Sequence, residues 1–347
     1  MITRRALNRA TLARQLLLQR HDLGIVDAVE RLAGMQAQVP KPPAIGLATR
    51  LSNFSLDAYR EAIASKELVR ATLMRGTLHL VSRRDFLAWR AAIQAVLSAG
   101  YESITKSSAP IDLDALLTAA RAFLAKQPRV FEDIRQHLVE KFPTYNDRHA
   151  GYAVRMNLPL VMVPDDSPYS YPPNSEFAEA TSFLGKAIAK KAATQDLVLR
   201  YLAAFGPATP ADFQAWSGLK GAKPLFEELR PQLITLRDEK KRELFDLPDA
   251  PRPDEHVEAP VRLLPEYDNI LLAHADRTRI ISDEHRPLVV TKNLRVLATF
   301  LVDGVVAGTW SIEKKKVALS PFGKLSKKVT DALNHEIALV TTACASS

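Results

Sequence analysis

Two carboxamides, Gln36 and Gln38, flank Ala37 just ahead of Val39-Pro40. An apolar stripe at Ile25, Val29, Leu32 and Ala33 has helical spacing, and it carries on to position 36, where a glutamine stands. A buried carboxamide needs partners for its oxygen and both N–H bonds, so polar company is expected there. Residues two apart diverge on a helix but share a face in extended chain, and Pro40 biases Val39 away from helix. A helix ending at Gly34 or Met35 therefore lets both amides converge on one pocket. Two carboxamide oxygens there can hold a water against a developing cation, which is positioning and electrostatics more than strong base catalysis. The competing reading is that Gln36 and Gln38 only satisfy a bend in the chain.

A second polar set surrounds Gly76. Arg75, Thr77 and His79 alternate on one face of a strand, with Met74, Leu78 and Leu80 on the other, and Arg70 lies just upstream. These four polar residues fit a DNA-binding surface. For His79 an ordinary backbone-bonded histidine is the rival, and for the arginines a solvated wing. Downstream, Asp268, His274, Asp276 and Arg277 gather near strand ends, where structural ion pairs are the ordinary explanation. Trp310 beside Lys314, Lys315 and Lys316 suggests a basic hairpin that touches DNA, against the plainer reading of Trp310 as core.

The elements around these residues predict an α+β, mainly α chain of tandem winged-helix (helix-turn-helix) domains with a C-terminal β-rich unit. Helices followed by a β-hairpin recur three times, at 1–108, 109–185 and 186–250. The third is clearest, with Pro210 in the first helical slot behind Thr209 and strands at Leu233–Arg237 and Glu243–Leu247. A linker with four prolines, Pro248 to Pro260, leads to residues 251–347. There strands are predicted at Val261–Leu264, Ile270–Leu272, Leu288–Thr291, Leu294–Val302 and Val305–Ile312, the last two joined by Asp303-Gly304. A final helix runs over Ser326–Leu339.

Charge points to a polyanion. The 347 residues carry a net +8, concentrated in three stretches. Residues 1–20 hold five arginines and no acid, 66–90 are net +4 and 311–328 net +5. A shared basic face for phosphates is one expectation, and three unrelated solvated surfaces the other. A lone cysteine, Cys344, excludes intrachain disulfides and multi-cysteine zinc sites. Phosphate loops, dinucleotide turns and nucleophile elbows do not occur in the sequence, so no cofactor and no metal is expected. With neither a signal peptide nor a membrane span in the sequence, a monomer in the cytoplasm, associated with the nucleoid, is expected.

Gly34-Met35-Gln36-Ala37-Gln38, then Leu73 to Val81, then Leu263-Leu264-Pro265-Glu266-Tyr267-Asp268 together resemble the AlkZ-like family of winged-helix DNA glycosylases. The resemblance implies a concave DNA-binding surface and monofunctional excision of N7-alkylguanine from double-stranded DNA, sometimes from interstrand crosslinks. It maps the family's catalytic glutamine pair onto Gln36 and Gln38. A related branch with aspartate in place of Gln38 is associated with simpler alkylated bases, so this chain aligns with the crosslink-tolerant branch. Alkylation at N7 makes guanine a cationic leaving group, which suits amides without paired carboxylates. Lys41 is the one lysine beside the motif for the rival Schiff-base route. A non-catalytic winged-helix DNA-binding protein or transcription regulator has the same charge and architecture, and the glutamine pair is what separates them.

Overall fold

The computed structural model describes residues 1–106, 111–314 and 316–344. After α1 (Arg4–Arg14), one unit repeats three times: helix, short strand, two helices, hairpin. The first copy is α2 (Ile25–Arg31), β1 (Met35–Gln36), α3 (Lys41–Arg50), α4 (Leu56–Ala64), β2 (Leu68–Thr72) and β3 (Leu78–Ser82). The long α5 (Arg83–Thr105) leads to the second: α6 (Leu113–Leu124), β4 (Arg129–Val130), α7 (Phe131–Lys141), α8 (Asp147–Asn157), β5 (Leu160–Met162) and β6 (Glu176–Glu179). Beyond α9 (Ala180–Leu184), the third has α10 (Thr194–Phe205), α11 (Pro210–Ser217), α12 (Lys223–Leu229), β7 (Ile234–Arg237) and β8 (Glu243–Asp246). In that copy an antiparallel bridge from Ala208 to Phe245 takes the place of the short first strand. This is winged-helix order, and local chemistry writes it. Ser55, Asp112, Asn146 and Thr209 each accept a helix N-terminal N–H with the side chain, the exchange that makes these residues favoured caps.

The first two units share one antiparallel sheet, ordered β1-β3-β2-β5-β6-β4 and joined where Ala71 pairs with Val161. Both of its faces are covered, so β2 and β3 place apolar side chains on both sides, with Arg70, Thr72, His79 and Ser82 buried among them. Leu68, Leu78 and Leu80 pack with Leu47, Tyr59, Leu116 and Val154. Val69, Ala71 and Val81 face Trp89 of α5 and Tyr201, Phe205 and Trp216 of the third unit. The edge strand β1, which carries Gln36, pairs with β3 at the border of this sheet.

The C-terminal region builds a second sheet, ordered β12-β11-β10-β9, from β9 (Arg262–Leu264), β10 (Thr299–Val302), β11 (Val305–Glu313) and β12 (Lys316–Pro321). Between β9 and β10 lies α13 (Arg286–Val289), and α14 (Lys327–Ala343) follows the sheet. Leu333 and Val340 of α14 join Phe300, Trp310 and, from α3, Ile45 in one core. Three predicted strands need correction. Asn269–Leu271 is a 3-10 turn because the Asp268 side chain caps Ile270 N–H. Residues 288–291 overlap α13, opened by Pro287 near its first position. Of Leu294–Val302 only Thr299–Val302 is strand.

Four of the five arginines in residues 1–20 are held in ion pairs within the protein. Arg9 and Arg14 are buried, the first paired with Asp303 and the second bidentate to Asp246 at 2.7 and 2.9 Å. Arg5 also reaches Asp303, and Arg20 reaches Glu336. The pairs to Asp303 and Asp246 fasten α1 to the C-terminal hairpin and the third unit, and Arg20, beyond α1, reaches α14.

Candidate active site at the Gln36–Gln38 strand

Gln36 is not the last residue of a helix. Helix α2 stops at Arg31, and the chain reverses through Ala33 (φ 54°) and Gly34 (φ 82°), where Gly34 N–H bonds Val29 O at 2.9 Å. A Cβ on Gly34 would lie 2.7 Å from Val81 Cγ1, so position and conformation both require glycine. The chain leaves this turn extended. Met35 pairs with Leu80 and Gln36 with His79, and Ala37 N–H donates to Leu78 O at 2.8 Å.

Arg75 is the hub of the site. It sits at φ 56° in the turn between β2 and β3, a left-handed conformation that costs on the order of 1 kcal/mol for a residue with a Cβ. Its Nη2 donates to Gln36 Oε1 at 2.8 Å and lies 3.5 Å from both His79 Nε2 and Asn269 Oδ1, while Nη1 donates to Trp216 O. All four acceptors are neutral. Burial, reinforced by Arg277, pulls its guanidinium down to about 10, still a cation at neutral pH. His79 is fully enclosed and its Nδ1 donates to Thr77 O at 3.0 Å, which leaves Nε2 as the acceptor facing Arg75. Burial, with the Arg75 charge behind it, lowers His79 to about 3. A neutral imidazole locked in one tautomer is a structural prop here.

The two glutamines differ. Gln36 is 8% exposed and its oxygen is engaged by Arg75. Gln38 is exposed, and its Oε1 makes a longer 3.3 Å contact with Leu78 N–H. The picture of two free carboxamide oxygens is corrected: each already accepts one hydrogen bond, Gln36 from Arg75 and Gln38, more weakly, from Leu78 N–H. Arg70, placed by sequence on a DNA surface, is buried instead and donates to Ala37 O and Gln38 O at 2.8 and 3.1 Å. Its guanidinium lies over the Tyr171 ring, 5.3 Å from the centroid. Thr77 Oγ1 bonds Met74 O within the turn.

The Leu263–Asp268 segment arrives from the C-terminal region. Asp268 is ion-paired to Arg50 at 2.9 Å, both buried, as the structural reading of that acid expects. Asn269, which sequence reasoning passed over, donates from Nδ2 to Gly34 O at 3.1 Å and fixes the reversal. No motif marks Asn269; only its place after Asp268 could have drawn notice. His274 likewise bonds Phe205 O, and Asp276 pairs with Lys240 and Arg242. Trp310 donates to Leu264 O and belongs to the core.

Past Gln38 the surface opens into a groove of about 460 Å³, lined by Val39, Lys41, Glu266, Arg295, Trp310 and Ile312 among others. Lys41 Nζ lies 5.9 Å from the centroid of the Tyr169 ring. Lys314 and Lys316, both exposed, stand at the tip of the β11–β12 hairpin whose residues form one wall of this groove. Lys315 lies outside the described residues.

A family model described as DNA glycosylase AlkZ-like matches residues 29–342, which includes all three motif segments. The chain belongs to the AlkZ-like family of DNA glycosylases. One relative in this family, an interstrand DNA cross-link repair glycosylase of Streptomyces sahachiroi, is 26% identical over 353 residues, covering 95% of this chain and 93% of its own. The solved structure of the Streptomyces sahachiroi DNA glycosylase AlkZ superposes with a TM-score of 0.81 at 22% identity, over 99% of this chain and 97% of that one. The AlkZ-like fold is therefore shared along essentially the whole length. Among the described residues no helix is long and apolar enough to cross a membrane, and no three His, Cys, Asp or Glu side chains are grouped to hold a metal.

Proposed function

We propose that this AlkZ-like glycosylase hydrolyses the N-glycosidic bond of N7-alkylated guanine in double-stranded DNA, interstrand crosslinks included, by a monofunctional route. The carrying observation is the contrast within one short segment: Gln36 is buried and clamped by Arg75, while Gln38 is exposed two residues on, next to Val39 of the groove wall. The relative whose name specifies interstrand cross-link repair supports the lesion class.

In this reading the damaged nucleotide leaves the base stack, as enzymes acting on a base require. The C1′–N9 electron pair moves onto the cationic purine, which departs neutral. Gln38 holds a water against the oxocarbenium-like C1′. Water oxygen forms the new bond to C1′, and its proton passes to solvent. Neither step needs a carboxylate base, which matches a site where the nearby Asp268 is engaged by Arg50. A monomer working on nucleoid DNA in the cytoplasm is the setting proposed. Incubation with a duplex containing N7-methylguanine should release the free base and leave an abasic site. Tight duplex binding with no base released would favour the non-catalytic regulator.

A further inference from the structure

Arg75 makes the two amide ends of Gln36 unequal. A guanidinium has only N–H donors, so the Gln36 atom that meets Arg75 Nη2 at 2.8 Å has to be oxygen. The reverse orientation would set an NH2 against an NH2. Arg75 is itself held by Trp216 O and lies within reach of His79 Nε2 and Asn269 Oδ1, so the clamp cannot swing away without breaking with three other elements. The Gln36 Nε2 group then remains, with two N–H bonds and no hydrogen-bond partner among the described residues.

Buried Arg9, Arg14 and Arg50 each have a carboxylate, whereas Arg75, like Arg70 and Arg90, has only neutral acceptors. A cation left uncompensated beside an amide oxygen polarises that amide and strengthens its N–H donors.

Resting on the glycosylase reading above, we propose that Arg75 is a positioning residue that presents Gln36 to the substrate as a hydrogen-bond donor, and that the acceptor it serves is O6 of the departing guanine. With N7 alkylated, O6 is the acceptor left on that edge of guanine, whereas adenine offers an N6–H2 donor at the same place. As the C1′–N9 pair flows onto the purine, O6 gains electron density, so this hydrogen bond is stronger in the transition state than in the ground state. Gln36 and Gln38 thus divide the work: one draws electrons into the leaving base, the other holds water. The donor also supplies selectivity, since an adenine adduct would face it donor to donor.

The test is Gln36→Glu, which keeps shape and replaces the NH2 with oxygen. Single-turnover release from an N7-methylguanine duplex should fall by ~10²-fold or more, with duplex affinity and melting temperature close to the parent. Release of N3-methyladenine should be slow in the parent and change little in the variant. Arg75→Lys carries the test where Gln36→Glu does not fold. It keeps a cation but loses the fork, and should slow excision by at least ~10-fold with affinity retained. The double variant should be no slower than Gln36→Glu alone, because both act through one group. Parent-like excision by Gln36→Glu, or losses that multiply in the double variant, would overturn the donor role and leave the glycosylase reading intact. A parent that releases no base would instead remove the reading on which it rests.

Discussion

Arg70 and Gln38 are joined through the backbone: Arg70 Nη2 donates to the Gln38 carbonyl at 3.1 Å while its Nε holds Ala37 O at 2.8 Å. The side chain is 4% exposed, so this cation supports the strand that carries the glutamines. Arg70→Met should cost about 2–4 kcal/mol, since it removes two charge-assisted bonds to backbone carbonyls. Excision should fall further than affinity, and the salt dependence of DNA binding should keep its slope. Chemical denaturation, single-turnover excision and salt titration of binding check this. A flatter salt slope would return Arg70 to the DNA surface.

The hairpin tip makes the opposite prediction. Lys314 and Lys316 are exposed beside the groove that begins at Val39. Replacing both with alanine should weaken binding to all duplexes alike and reduce the slope of log affinity against log salt by about 0.9 for each DNA phosphate no longer neutralised. Melting temperature should hold. Weakening confined to one DNA sequence would point to base readout.

How legible was all this in the chain? Winged-helix order showed through cap residues and periodicity, and the Thr209–Pro210 start is present with its capping box. That the helix ends before Gln36 was readable from Gly34, although it stops earlier, at Arg31. The fate of the arginines was not. Arg9 and Arg14 look like a basic surface because sequence shows charge but not the partners 294 and 232 positions away. Separation along the chain also hid Asn269 and Trp216, which meet Arg75 only through the packing of remote elements. Short strands misread at 270–272 and 288–291 are apolar runs whose turn is set by the Asp268 cap and Pro287.

His79 gives a pH signature. Its folded value near 3 lies below the ordinary 6.5, so below pH 6.5 the unfolded chain binds a proton that the native state refuses. Its neutral burial therefore costs nothing above about pH 7, and stability falls as pH drops from about 6.5 toward 3. His79→Gln should flatten that decline relative to the parent, as followed by denaturation at several pH values. Because His79 is neutral throughout, excision should show no inflection from it between about pH 5 and 8. Equal acid sensitivity in parent and variant would place the titrating group elsewhere.

The central claim is that Gln38 holds the attacking water, and single-turnover release of N7-methylguanine by parent and Gln38→Ala measures it most directly. The parent should release free base, and Gln38→Ala should be ~10²–10⁴-fold slower with unchanged melting temperature and duplex affinity. Gln38→Asp should keep activity, since a carboxylate can bind the same water. Excision by Gln38→Ala at the parent rate, or no release by the parent at all, would contradict the account.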